Sequence, residues 1–199
     1  MNQPLTLAQR FGRPRAILDW NQTALVLIDH QREYLGSGGL PLEGIDGAVA
    51  ECAELLRISR ERRAPVLHVR HQAFPGAPLF DPDGDNVRFI EALAPLEGEV
   101  VVPKTLPNAF ANTVLQECLE RVGRRQLVLA GFMTHMCVST TTRAAAERGY
   151  ACWVVADACA TRKLPLPWGE TIAAADVHRT ALAELNDSFA TVVRGAANL

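Results

Sequence analysis

The sequence predicts an α/β fold: a three-layer sandwich with a mainly parallel central sheet flanked by helices. Short apolar runs alternate with segments of helical period. The apolar runs are unbroken rather than alternating, as in strands buried on both faces. Several end abruptly in a charge (Asp29, Lys104, Asp157), the pattern of strands that stop at a rim. At 199 residues, 48% hydrophobic and 21% charged, the chain suits one domain with a sizeable core.

In chain order, residues 1–22 are polar and proline-punctuated, and read as an arm on the domain surface or a partner subunit. Residues 23–199 form the single domain. Thr23–His30 (TALVLIDH) is a central strand, followed by a glycine-rich loop, 36–44. Ile45–Arg63 is helical, with Val49, Cys52, Ala53, Leu56 and Ile58 inward. Pro65–Val69 is the second strand. Residues 71–86 are a long irregular loop carrying Phe74 and Phe80, and a loop of that length is a functional candidate. Glu99–Lys104 is a short strand, Asn112–Val122 an amphipathic helix and Leu127–Ala130 a further strand. Tyr150–Ala156 is a strand, Lys163–Trp168 a proline loop, Gly169–Leu185 a helix and Phe189–Val193 the last strand.

The bulk chemistry excludes several classes. A net charge of −2 gives no pull toward nucleic acid or an anionic membrane. No apolar run approaches the roughly 18 residues of a membrane helix, and the N-terminus lacks the apolar core of a secretory signal. Five cysteines (52, 118, 137, 152, 159) without CxxC spacing suggest neither a disulfide framework nor zinc, and a reducing cytoplasm fits best.

The strongest chemical signal is Gln126–Gly149, QLVLAGFMTHMCVSTTTRAAAERG. It reads as strand, tight turn and helix, with Gly149 as the C-terminal cap. With Thr134 as N-cap, Cys137 falls at the third helical position, where unpaired N–H groups and the dipole stabilise a thiolate. Cys52, Cys118 and Cys152 match inert packing, and packing is also favoured for Cys159. Ligands of open α/β sheets bind at the carboxyl ends of the strands, so Asp29, Lys104 and Cys137 are expected to converge on one rim.

ALVLIDHQ, VVPK…AF (104–110) and GFMTHMCVSTTTRAA…GY together resemble the isochorismatase-like cysteine hydrolases, the superfamily of nicotinamidases and N-carbamoylsarcosine amidases. ADAC around Asp157 matches too, and the resemblance covers roughly residues 23–193. It implies Asp29, Lys104 and Cys137 as a catalytic triad. It also implies a cis peptide at Phe132–Met133 and an oxyanion hole made by the backbone N–H groups of Met133 and Cys137. The implied activity is thiol-dependent cleavage of an amide-type C–N bond in a small molecule, in a homodimer or homotetramer.

This sequence departs from nicotinamidases at the metal. Their Asp-x-His motif after the second strand is replaced by Val69-Arg70-His71-Gln72-Ala73, and His68 and His71 tend to opposite sides of the strand. No metal and no cofactor are expected. Asn108 stands where serine is frequent. His135, Phe110, Trp168 and Gln31 are candidate substrate contacts. For His135 the alternative is a locally bonded turn histidine, for Phe110 the core, and for Trp168 a subunit contact. Two other functions stay open: isochorismatase-type vinyl-ether hydrolysis with Asp29 as acid, and a catalytically silent binding module.

Overall fold

The computed structural model describes residues 4–13 and 16–199. Its elements in chain order are α1 (Leu7–Arg10), β1 (Thr23–Ile28), α2 (Ile45–Glu61), β2 (Val66–His71), β3 (Val100–Lys104), α3 (Leu115–Val122) and β4 (Gln126–Phe132). There follow α4 (Ser139–Glu147), β5 (Ala151–Ala160), β6 (Leu164–Pro165), β7 (Thr171–Ile172), α5 (Ala174–Ser188) and β8 (Thr191–Val193). Six strands form one sheet in the order β3-β2-β1-β4-β5-β8, and every pairing is parallel. This is the expected α/β sandwich.

The period-2 geometry of a strand sorts β1 into two cores. Leu25 and Leu27 pack with Ile45, Ala48, Cys52, Leu55 and Leu56 of α2. Ala24, Val26 and Ile28 pack on the other face, with Leu115 and Leu119 of α3, Ala144 and Ala145 of α4, and Leu182 and Leu185 of α5. Each fully buried leucine contributes about 1.5–3 kcal/mol, and β1, covered on both sides, anchors the sheet. The buried stripe of α2 (Ile45, Ala48, Cys52, Leu55, Leu56, Ser59) is rotated from the expected one, leaving Val49, Ala53 and Ile58 half-buried on its flank.

Three further boundaries differ. The helix expected from Gly169 begins at Ala174, because Leu164–Pro165 pairs antiparallel with Thr171–Ile172 in a small hairpin. The Leu166 N–H donates to the Glu170 carbonyl (2.7 Å) and Gly169 takes φ +96° to close its turn. The strand expected to end before Asp157 continues to Ala160 past a register shift opposite Leu129 and Gly131. Asp157 is therefore an exposed strand residue, ion-paired at 3.6 Å to Arg194. The helix expected from Asn112 starts at Leu115.

The described part of the arm lies on its own domain. The Leu7 N–H donates to Asp187 Oδ1 (2.9 Å), and Gln126 bonds both the Asp19 N–H and the Ile17 carbonyl. Residues 1–3 and 14–15 of the arm lie outside the described residues.

Candidate active site

Three strands of one sheet, β3, β1 and β4, supply the site, with β2 lying between β3 and β1. Asp29 follows β1, Lys104 ends β3, and Cys137 follows β4 on the turn into α4. β1 and β4 come together backbone to backbone: Gly131 lies opposite Ile28, and a Cβ at 131 would sit 2.0 Å from the Ile28 carbonyl oxygen. Only glycine fits there, at φ +117°. The next peptide bond, Phe132–Met133, is cis, as the resemblance implied. Asp29 itself takes a left-handed φ of +51°, with its N–H donated to the Val69 carbonyl (3.0 Å).

The three side chains meet at Lys104. Its Nζ lies 2.7 Å from Asp29 Oδ2, 3.3 Å from Cys137 Sγ and 3.1 Å from His71 Nδ1. Exposure is 0% for Asp29, 2% for Lys104 and 5% for Cys137. An ammonium has three N–H donors and no lone pair, so these three acceptors use its full capacity. Asp29 Oδ1 keeps no hydrogen-bond partner among the described residues and is the open acceptor of the cluster.

Electrostatics corrects one expectation. Thr134 does not cap the helix: its Oγ1 donates to the Ala160 carbonyl (3.1 Å) and lies 2.9 Å from His178 Nδ1. Residues 134–138 form a wide turn in which the Val138 N–H reaches back five residues to the Met133 carbonyl (3.3 Å), and α4 begins only at Ser139. Burial, aided by the charge of Asp29, pushes the Cys137 thiol up to about 12, and Lys104 offsets only part of this. The resting form is a thiol, not the thiolate that its place before a helix suggested. Burial also raises Asp29, against the pull of Lys104. One carboxylate and one ammonium thus hold a neutral thiol between them.

The remaining candidates separate. Gln31 is fully buried and clamps His71: its Oε1 accepts the His71 N–H (2.8 Å), and its Nε2 donates to the carbonyls of His71 (2.9 Å) and Val87 (2.8 Å). Both amide protons are used, so Gln31 holds the loop after β2 and has none for a substrate. Phe110 is buried, its ring 6.4 Å from Tyr150 and under the Arg148 guanidinium at 4.7 Å. Those partners stand at the far end of α4 from the thiol, so Phe110 is core. Trp168 is 71% exposed on the β6–β7 hairpin, with its Nε1–H donated to Glu170 (3.2 Å). His135 is half-buried in the turn that carries Cys137, its Nδ1 2.6 Å from Thr161 Oγ1. Asn108 accepts the Phe110 N–H (2.9 Å) within its own loop.

His71 was not singled out from sequence as part of this cluster. The only signal was strand parity, which puts it opposite His68, together with its place at the rim. Phe80, held by its N–H to Glu33 Oε2 (2.7 Å), sets its edge against the His71 ring at 4.8 Å. Among the described residues no group of three or more His, Cys, Asp or Glu side chains is placed to hold a metal. A cleft of about 590 Å³ lies elsewhere, lined by Glu43, Glu51, Asp157 and His178 and by none of the triad. The reactive groups, not the volume, mark the candidate site.

A family model described as the isochorismatase domain matches residues 23–197. The chain belongs to the isochorismatase family. The family fold is seen in a crystal structure of an isochorismatase from Pseudomonas putida KT2440, with a TM-score of 0.91, 42% identity, and 99% of this chain and 100% of that one covered. The secreted isochorismatase effector Isc1 of Verticillium dahliae is 40% identical over 92% of this chain and 93% of its own. The streptothricin hydrolase of Streptomyces noursei is 32% identical over 87% of this chain and 69% of its own. Within this family the chain is a hydrolase. No described helix is long and apolar enough to cross a membrane.

Proposed function

We propose that this isochorismatase-family protein is a cysteine-dependent hydrolase that cleaves an amide-type C–N bond of a small molecule through a thioester. The observation that carries the reading is the meeting of Asp29, Cys137 and His71 on the single ammonium of Lys104. A buried thiol between a carboxylate and a fixed cation is equipped for proton transfer coupled to attack.

Asp29 takes the thiol proton as sulfur bonds to the carbonyl carbon. The carbonyl electron pair moves to oxygen, where the N–H groups of Met133 and Cys137 receive it. Collapse breaks the C–N bond, and the amine leaves with the proton from Asp29. Water then attacks the thioester and gives a proton to Asp29. The acid departs, and sulfur recovers the proton. Lys104 stays charged throughout and balances the negative charge wherever it sits.

Similarity to the ureidoacrylate amidohydrolase RutB of Stutzerimonas stutzeri, 27% identical over 69% of this chain and 69% of its own, supports a C–N substrate. The site takes a small molecule, in a homodimer or homotetramer working in the cytoplasm. Vinyl-ether hydrolysis is the second reading, favoured by the burial-raised Asp29, which suits an acid. The test is ammonia release from a panel of amides, ureides and carbamoyl compounds, with mass spectrometry for a +acyl adduct on Cys137. The expected result is turnover by the native protein and a loss of at least about 10³-fold in Cys137→Ala. A Cys137→Ala protein that still consumes isochorismate would establish the second reading instead.

A further inference from the structure

His71 offers a feature that the thiol chemistry does not use. Lys104 can only donate, so His71 Nδ1, 3.1 Å away, must present its lone pair. The ring proton of the neutral imidazole is thereby assigned to Nε2. Burial and the adjacent ammonium hold the ring neutral, its pKa pushed down to about 4. The ring cannot turn freely: Gln31 bonds the backbone of residue 71 on both sides, and Phe80 stands edge-on at 4.8 Å. On the side away from Lys104, Nε2 makes no hydrogen bond among the described residues, and it is not one of the sealed polar atoms. The result is a neutral N–H donor, fixed in direction, one residue removed from the thiol through a shared lysine.

We propose that His71 is a specificity-determining residue whose Nε2–H binds a second oxygen acceptor on the substrate, outside the carbonyl that the thiol attacks. The substrate class is then amides with a further carbonyl or carboxylate oxygen, such as ureido acids, over simple aliphatic amides. A site built to hydrogen-bond such an oxygen discriminates against a compound lacking it, because its donor is left unpaired. The inference rests on the triad marking the active site, but its test reads binding and needs no turnover.

The experiment measures protection of Cys137 from iodoacetamide, followed by mass spectrometry, with N-carbamoylglycine and propionamide as the probes. In the native protein N-carbamoylglycine is expected to protect at concentrations lower by about tenfold or more, the effect of one added hydrogen bond to a charged or strongly accepting group. His71→Asn puts an oxygen near the place of Nδ1, keeping an acceptor for Lys104 while removing the Nε2 donor. Its preference is expected to fall to within about twofold. His71→Gln, whose terminal amide reaches toward the place of Nε2, is expected to recover part of it. Unprotected alkylation rates and melting temperatures of each variant report whether Lys104 and the fold are retained. No preference in the native protein, or a preference that survives His71→Asn, overturns the proposal. So does a His71→Asn protein altered only in its unprotected alkylation rate, since His71 would then act solely through Lys104. Failure of the thiol reading looks different: hydrolysis would persist in Cys137→Ala whatever the protection pattern.

Discussion

Two buried polar clusters are built from the same three strands, a few residues apart. One joins Asp29, His71 and Lys104 to Cys137. The other joins His30 and His68 to Glu99 and Arg60. His30 Nε2 is 2.9 Å from His68 Nδ1, His68 Nε2 is 2.9 Å from Glu99 Oε2, and Glu99 Oε1 accepts from Arg60 (2.8 Å). The second chain runs outward to a half-exposed guanidinium, and hydrogen bonds from Arg60, Leu96 and His68 outweigh burial to hold Glu99 down at about 2. Its carboxylate is saturated. Among the described residues the first cluster leaves Asp29 Oδ1 and His71 Nε2 without hydrogen-bond partners, beside a thiol that only Lys104 holds. The second cluster also keeps one unpartnered atom, His30 Nδ1, but it holds no nucleophile and specifies the fold, whereas the first places a thiol beside its unpartnered groups and is available for chemistry.

Substitutions sharpen that contrast. Lys104→Met is expected to reduce turnover by at least about 10³-fold, and to lower the melting temperature by roughly 10 °C, because it strands Asp29 unpaired in the interior. Calorimetry and an ammonia assay check both halves. His68→Asn is expected to act on stability alone. The loss of the His68 Nε2 bond to Glu99 lowers the melting point by about 3–6 °C, with turnover per folded molecule within about threefold of native. A large kinetic effect from His68→Asn would break the distinction between the clusters.

Acid tests both clusters together. All five histidines are held below their ordinary value, mainly by burial. A depressed histidine favours the native state fully above about pH 6.5, and that contribution is lost as pH falls toward its folded value. Asp29, raised by burial, works in the opposite sense. The melting temperature is expected to fall by roughly 5 °C between pH 7 and pH 4.5, and a flat profile would refute the histidine assignment. Trp168→Ala, outside both clusters and exposed, is expected to move the melting point by no more than about 1–2 °C.

Much of this was readable in the sequence, for a physical reason. A buried parallel strand tolerates almost no charge, so Asp29 and Lys104 at the ends of apolar runs announced a rim, and topology brought them together. Cys137 was found by its place after a strand and a tight turn. Its protonation state was not, since burial and a neighbouring carboxylate are properties of the assembled site. The setting of Gln31, and which of the two readings holds for Phe110, were not legible because hydrogen-bond saturation and ring packing depend on chain segments far away: His71 and Val87 for one, Arg148 and Tyr150 for the other. The β6–β7 hairpin escaped because two-residue strands carry no periodicity.

The absent side chain at position 131 constrains how this scaffold can change. A methyl group there would wedge β1 from β4, and with them Asp29 from Cys137. Side-chain changes are thereby better accommodated in the loops 36–44 and 71–86 and the β6–β7 hairpin than at the seam between those two strands.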